Sequence, residues 1–320
     1  MMPLTIGKRR SLQRLATREG LFVMTALDHR GSMQRMIDPQ HPEAVGAARL
    51  TGDKLDLTRA LSPVSSAVRL DPMYGAAQAI AAGALPRDTG LLVGAQATRH
   101  NADHGTRHTG FLPGWSVQRI RRMGADAAKL LVPSHPGRED AAARQRKATS
   151  ASITACREED LPALVKPVAY PGTPGDEAPE VFARRKPELV VRSARDVIAL
   201  GVDILKAEFP TDPRFEQDAG RMREACGALD ASPSARGSCC GAACPSRCPP
   251  ARCRSRPRTA RPASWQDAPC GRKRWVSGMG VRASTGSARW GPGGCASSRT
   301  WPGSSAVPGG AGGGLSPAAT

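Results

Sequence analysis

The chain has 320 residues and a formal net charge of +18, from 46 Lys and Arg against 28 Asp and Glu. It holds no run of about 18 apolar residues and opens without the continuous apolar stretch of an export signal, which argues against a membrane span and against secretion. A soluble, cytoplasmic protein is expected, long enough for one α/β barrel of about 250 residues with some chain left over.

The opening segment GKRRSLQRLATREG is rich in arginine and amphipathic. Glu19 and the strand pattern that follows favour an opening helix over a transit peptide. Six strands are then predicted: LFVMTALD at 21–28, SSAVRLDP at 65–72, LLVGAQA at 91–97, AAKLLVP at 127–133, ALVKPVAY at 163–170 and VDILKAEFP at 202–210. Most are nearly continuous apolar runs, the pattern of strands covered on both faces. Helical patterns separate them, among them WSVQRIRRMGA at 115–125 and RSARDVIALG at 192–201, the latter ending on Gly201 as a left-handed cap. Alternating strand and helix predicts a parallel sheet, and one unit per roughly 35 residues suits a (β/α)8 barrel.

Asp28, Asp71, Lys129, Lys166, Lys206 and Glu208 all fall late in an apolar run. An α/β barrel places its functional groups at the C-terminal ends of its strands. Any one of these residues reads equally as a solvated charge at a strand end; six together point to a site. Lys206 lies between Ile204, Leu205 and Ala207, Phe209, where burial lowers an amine pKa. A neutral amine can attack a ketone to give a carbinolamine and then an iminium, which withdraws electrons from the neighbouring carbon–carbon bond. A lysine that snorkels to the rim is the competing reading of the same spacing.

The segments MTALDHRGSM, SPVSSAVRLDPMYG, PGWSVQRIRRMGADAAKLLV, LVKPVAYP and DVIALGVDILKAEFP, in that order, resemble the tagatose 1,6-diphosphate aldolase family and its relatives that act on sulfosugar phosphates. The resemblance covers roughly residues 8 to 230. It implies a class I aldolase acting on a phosphorylated ketose, such as tagatose 1,6-diphosphate, with no cofactor and no metal. By the same resemblance Lys206, in ILKAEFP, stands at the Schiff-base position. Asp28, in ALDHRG, and Lys129, in AAKLL, match family positions that line the substrate pocket. Asp28 and Lys166 are expected as catalytic groups beside Lys206, and Lys129, Arg30, Asp71 and Glu208 as substrate contacts. Where the family usually carries a glutamate for proton transfer, this chain has Lys166. A metal-dependent aldolase is the rival enzyme, suggested by His100, His104 and His108 at four-residue spacing. Asn101 and Gly105 favour a polar loop there.

From Pro233 to Thr320 the composition changes. Of these 88 residues 72 are Gly, Pro, Ser, Arg, Ala or Cys, and only Val276, Val281, Val307 and Leu315 are aliphatic and branched. Such a segment buries too little apolar surface to offset the entropy of ordering, so a partial barrel domain at 1–232 and a disordered basic tail at 233–320 are expected. The tail holds thirteen Lys and Arg against the single acid Asp267, and seven of the nine cysteines. Its cysteines lack paired metal-ligand spacing, and its arginines lack aromatic interleaving, so neither a metal site nor a specific nucleic-acid surface is predicted. One allowed codon choice for Ser264–Trp275, read one base earlier, gives Phe-Leu-Ala-Gly-Arg-Ala-Val-Trp-Lys-Glu-Ala-Val. That peptide looks like the missing eighth strand of the family, so the tail reads as a shifted frame entered between about residues 225 and 264. A homo-oligomer is allowed, and a nonfunctional product of a damaged gene is the reading outside enzymology.

Overall fold

The computed structural model describes residues 4–97, 102–103, 106–107, 110–172, 178–232 and 237–240. These lie within one compact unit, Met1–Gly278. His100, His104 and His108, and the tail beyond residue 240 with its frame-shift reading, lie outside the described residues.

Seven strands form one parallel sheet: β1 (Met24–Leu27), β2 (Ala67–Leu70), β3 (Gly90–Val93), β4 (Ala127–Ser134), β5 (Ala163–Ala169), β6 (Ile204–Ala207) and β7 (Gly237–Cys240). Each strand pairs with the next in the chain, without reversal. A doubly wound sheet would reverse its order at a switch point, so this winding is that of a barrel. Among the described residues no pairing joins β7 back to β1, and the barrel is partial. Helices return the chain between strands: α2 (Gly31–Ile37) and α3 (Ala47–Leu61) after β1, then α4 (Ala76–Ala81), α5 (Val117–Arg122), α6 (Glu139–Glu158), α7 (Pro179–Ala199) and α8 (Ala219–Asp230).

All six predicted strands form; four are shorter than expected, while β3 begins one residue early at Gly90 and stops at Val93, and β4 runs one residue further, to Ser134. The predicted helix at 192–201 is the second half of α7, which begins at Pro179 and runs through Pro187. Gly201 takes the left-handed conformation, φ 83°, just past the end of that helix, where a side chain would be strained. The opening helix is α1 (Ile6–Leu15), capped by the Thr5 hydroxyl, which accepts from the Lys8 amide.

The seventh strand was not anticipated, because the sequence from residue 233 was read as supplying none. Gly237–Cys240 pairs in parallel with Ile204–Ala207. An edge strand offers a row of unpaired N–H and C=O groups, and pairing with it needs backbone alone, not the apolar pattern by which strands are read.

Two apolar layers hold the sheet. The larger lies between sheet and helices and includes Val68, Leu70, Val93, Leu130, Val165 and Leu205, with Ile120, Ile153 and Val197 from the helices. The smaller fills the concave face with Ala67, Leu92, Ala127, Leu164 and Ile204, and is closed below by Phe22 and by Leu15 of α1. Lys8 fastens α1 there through a buried 2.7 Å ion pair to Asp203, whose carboxylate also accepts from the Ala163 amide. On the opposite rim Lys54, in α3, has no exposed surface. Its ammonium meets the Asp71 carboxylate at 2.8 Å and donates to the carbonyls of Leu27 and His29, tying the ends of β1 and β2 together. No helix among the described residues is long and apolar enough to cross a membrane.

Removing one partner of a buried ion pair leaves an uncompensated charge, at a cost of about 3–5 kcal/mol. Lys54→Ala should therefore lower the unfolding free energy by about that amount in urea titration. A loss below about 1 kcal/mol, the value of an exposed pair, would show that the Lys54–Asp71 contact does not hold the rim.

Candidate active site

Side chains alternate across a strand, and residues in register on parallel neighbours share a face. Leu92 pairs with Ala127 and Leu164 with Ile204, all in the concave apolar layer. Two residues further along each strand, the same face carries Gly94 after β3, Lys129 on β4, Lys166 on β5 and Lys206 on β6. On β1 and β2 this face carries Asp28 and Arg69, in step with Ala26 and Ala67. Lys166 and Lys206 sit one residue beyond the Val165–Leu205 pair, at equivalent places on adjacent strands. The inner wall thus passes from an apolar floor to a charged band within one pleat.

Asp28 is the hub of this band. One carboxylate oxygen meets Arg69 Nε at 2.8 Å and the other meets Lys129 Nζ at 3.1 Å, with all three side chains largely buried. Burial alone would raise the Asp28 pKa, but Arg69 and Lys129 outweigh it and hold the carboxyl well below the usual carboxylate range. Gly94 makes room for the pair: a Cβ there would stand 3.0 Å from Asp28 Oδ2 and 3.5 Å from Lys129 Cδ.

Burial lowers the Lys129 pKa, Asp28 opposes that, and Arg69 and Lys166 lower it further. The half-buried Lys166 is also lowered, first by burial, with Arg69 and Lys186 adding to the effect and Glu208 and Asp28 opposing it. Glu208 accepts from the Ala169 amide at 2.8 Å, which steadies its carboxylate across the end of β5. Lys206 is half-buried on β6, with apolar neighbours along its own strand.

Arg30 reaches the band from the start of α2. It is buried, donates to the Gln96 carbonyl, and has Met73 Sδ 3.8 Å from Nη1. Gln96 in turn accepts from and donates to the backbone of Leu131, bridging the ends of β3 and β4. Asp71 departs from expectation. It is fully buried, engaged with Lys54, and accepts the amides of Met73 and Tyr74, so it has no surface to offer a substrate. Its observed task is to shape the loop after β2.

The site therefore gathers Asp28, Lys129, Lys166, Lys206 and Glu208 on one face, with Arg30 at its edge. Arg69 completes it and was passed over in the sequence. The signal was present as a lone cation inside the apolar run SSAVRLDP. Lys54 gave a weaker one, lying four residues after Leu50 and four before Thr58 on the buried stripe of α3. Among the described residues no group of three or more His, Cys, Asp or Glu could hold a metal ion.

A sequentially wound parallel α/β sheet with a cationic band on its inner face places the chain among barrel-type α/β proteins. The model of the DeoC/LacD family aldolases matches residues 22–232, and the chain belongs to that family. It is 30% identical over 223 residues to tagatose 1,6-diphosphate aldolase 1 of Enterococcus faecalis, covering 69% of this chain and 67% of the relative. It is 32% identical over 218 residues to tagatose 1,6-diphosphate aldolase 2 of the same organism, covering 67% of this chain and 65% of the relative. The chain thus spans about two thirds of the length of these relatives. Among solved structures, the fructose-bisphosphate aldolase from Slackia heliotrinireducens shares the fold with a TM-score of 0.52 at 14% identity, over 77% of this chain and 76% of that one.

The depressed Asp28 pKa sets a pH dependence with a definite sign. A carboxyl whose folded pKa lies below its unfolded value, about 3.9, adds stability that is complete above that value and is lost as pH falls toward the folded pKa. The difference in unfolding free energy between the wild-type chain and Asp28→Asn should be constant from pH 8 to pH 5 and shrink below about pH 4. A difference that grows on acidification would contradict the ion-pair assignment. Gly94→Ala should also weaken the chain, because the added methyl meets Asp28 Oδ2; an unchanged urea midpoint would count against this packing.

Proposed function

We propose that the chain is a class I aldolase that cleaves a phosphorylated ketose, such as tagatose 1,6-diphosphate, through an iminium on Lys206, and that its activity is weakened by Lys166. The observation that carries this reading is the placement of three lysines and Arg69 on one inner face against Asp28 and Glu208. That face has an excess of positive charge, which draws an anionic sugar phosphate, and its partly buried amines are suited to carbonyl attack.

In this reading the neutral Lys206 amine adds to the ketone carbon, and loss of water gives the iminium. A base removes the proton of the hydroxyl two carbons away, the carbon–carbon bond breaks, and its electrons pass into the iminium to leave an enamine. The aldehyde departs; protonation of the enamine and hydrolysis of the iminium release dihydroxyacetone phosphate and the free lysine. Asp28 is a poor base because both oxygens are committed and its proton affinity is low. Its role is to neutralise Lys129 and hold it toward the substrate. Lys166 faces Glu208, and burial enlarges its neutral fraction, so it can accept the hydroxyl proton in place of a carboxylate. A base whose pKa lies above the working pH is mostly protonated, and cleavage should be slow.

The remaining assignments belong to the same proposal. Arg30 borders the substrate phosphate, no cofactor is required, and the protein works in the cytoplasm. The chain beyond residue 232 is the out-of-frame remainder of a barrel whose last strands would grip that phosphate. A homo-oligomer is compatible with this arrangement. Reading the gene across codons 220 to 280 in three frames tests the frame change; an open frame that encodes no strand-like segment outside the present one sinks it.

The catalytic reading predicts that borohydride with dihydroxyacetone phosphate adds mass to the wild-type chain and not to Lys206→Met, with EDTA making no difference. Loss of activity to the chelator without any adduct would support the metal-dependent alternative instead.

A further inference from the structure

Arg69 takes no part in the catalytic steps above, yet it is the cation nearest the hub. It lies on β2 with little exposure, its guanidinium 2.8 Å from Asp28, whose other oxygen takes Lys129. Its position on the inner face, in step with Ala67 of the apolar floor, points it into the lysine band rather than toward bulk water. We propose that Arg69 is a positioning residue of this site, fixing the Asp28 carboxylate so that its second oxygen faces Lys129, and keeping a permanent cation beside the amines that meet substrate. This inference rests on the Schiff-base reading of the site for its catalytic consequence, though not for its electrostatic one.

An arginine suits this task because its guanidinium stays charged at every working pH, whereas a lysine in the same place would titrate with its neighbours. Arg69 acts on Lys129 and on Lys166 in the same direction, each being lowered by it beyond the effect of burial. The other charged groups around the band are Asp28 and His29 after β1, Arg30 at the start of α2, Lys54 on α3 paired with Asp71, Lys206 and Glu208 at the end of β6, and Lys186 on α7. Arg69 both touches the hub carboxylate and lowers both amines. A residue that served packing alone would change stability and leave the amines as they were.

Competitive labelling of the full chain with trace acetic anhydride, read lysine by lysine in peptide mass spectra, separates the two roles. Lys147, exposed on α6, serves as internal reference. In the wild-type chain Lys129 and Lys166 should titrate at lower pH than Lys147; coincident titration would overturn the proposal without any variant. In Arg69→Gln the labelled fraction of both should fall by about tenfold at pH 8, the effect of one pH unit in midpoint. Arg69→Lys should restore part of it. Equal labelling in Arg69→Gln and wild type, with both chains folded by circular dichroism, would overturn the proposal. The yield of borohydride adduct at Lys206 should follow the same order. If the wild-type chain forms no adduct at all, the Schiff-base reading falls, and the labelling series still decides the electrostatic role of Arg69.

Discussion

The Asp28 carboxylate, held between Arg69 and Lys129, is the interaction on which the site depends. Without an anion at that point the inner wall of the sheet would bring Arg69, Lys129, Lys166 and Lys206 together at the edge of an apolar floor. Like charges in such a place repel strongly, because little water remains to screen them. Asp28 removes enough of that repulsion for the cations to coexist, while the excess still favours deprotonation of the amines. The fold supports the hub from three sides. Gly94 leaves space for it, the Lys54–Asp71 pair fixes the ends of β1 and β2, and Gln96 locks the end of β3 to β4.

One geometric rule converts sequence into this arrangement. Parallel strands in register place alternate residues on a common face, so the parity that sends Leu92, Ala127, Leu164 and Ile204 into the concave floor sends Lys129, Lys166 and Lys206 to the same wall above it. The chemistry is then a consequence of which inward-facing positions carry a charge in place of an apolar side chain. This is why a cluster of charges late in several apolar runs was informative, and why a single such charge would not have been.

Six strands, the opening helix and the Gly201 cap were legible because each rests on a local signal: an apolar run, an amphipathic period or a glycine past a helix. Asp28, Lys129, Lys166, Lys206 and Glu208 were legible by position. Asp71, expected as a substrate contact, lies buried against Lys54: a carboxylate at a strand end looks the same in sequence whether it faces solvent or a buried lysine seventeen residues earlier, and only the packing of α3 separates these cases. Arg69 was missed for the opposite reason. It sits in mid-strand, where the apolar pattern around it draws attention away from a lone cation. The strand Gly237–Cys240 has no apolar pattern at all, and its pairing is a property of the open edge of β6.

Family membership fixes the ancestry of the chain, and the inner wall gives three lysines on one face, of which Lys206 is the amine proposed to bond to substrate. The most direct measurement is proteolytic mapping of the borohydride-reduced complex with a ketose phosphate. The modified peptide should contain Lys206, and peptides containing Lys129 and Lys166 should stay unmodified. A reduced adduct on Lys129 or Lys166, with Lys206 unmodified, would contradict the assignment of Lys206 as the Schiff-base amine.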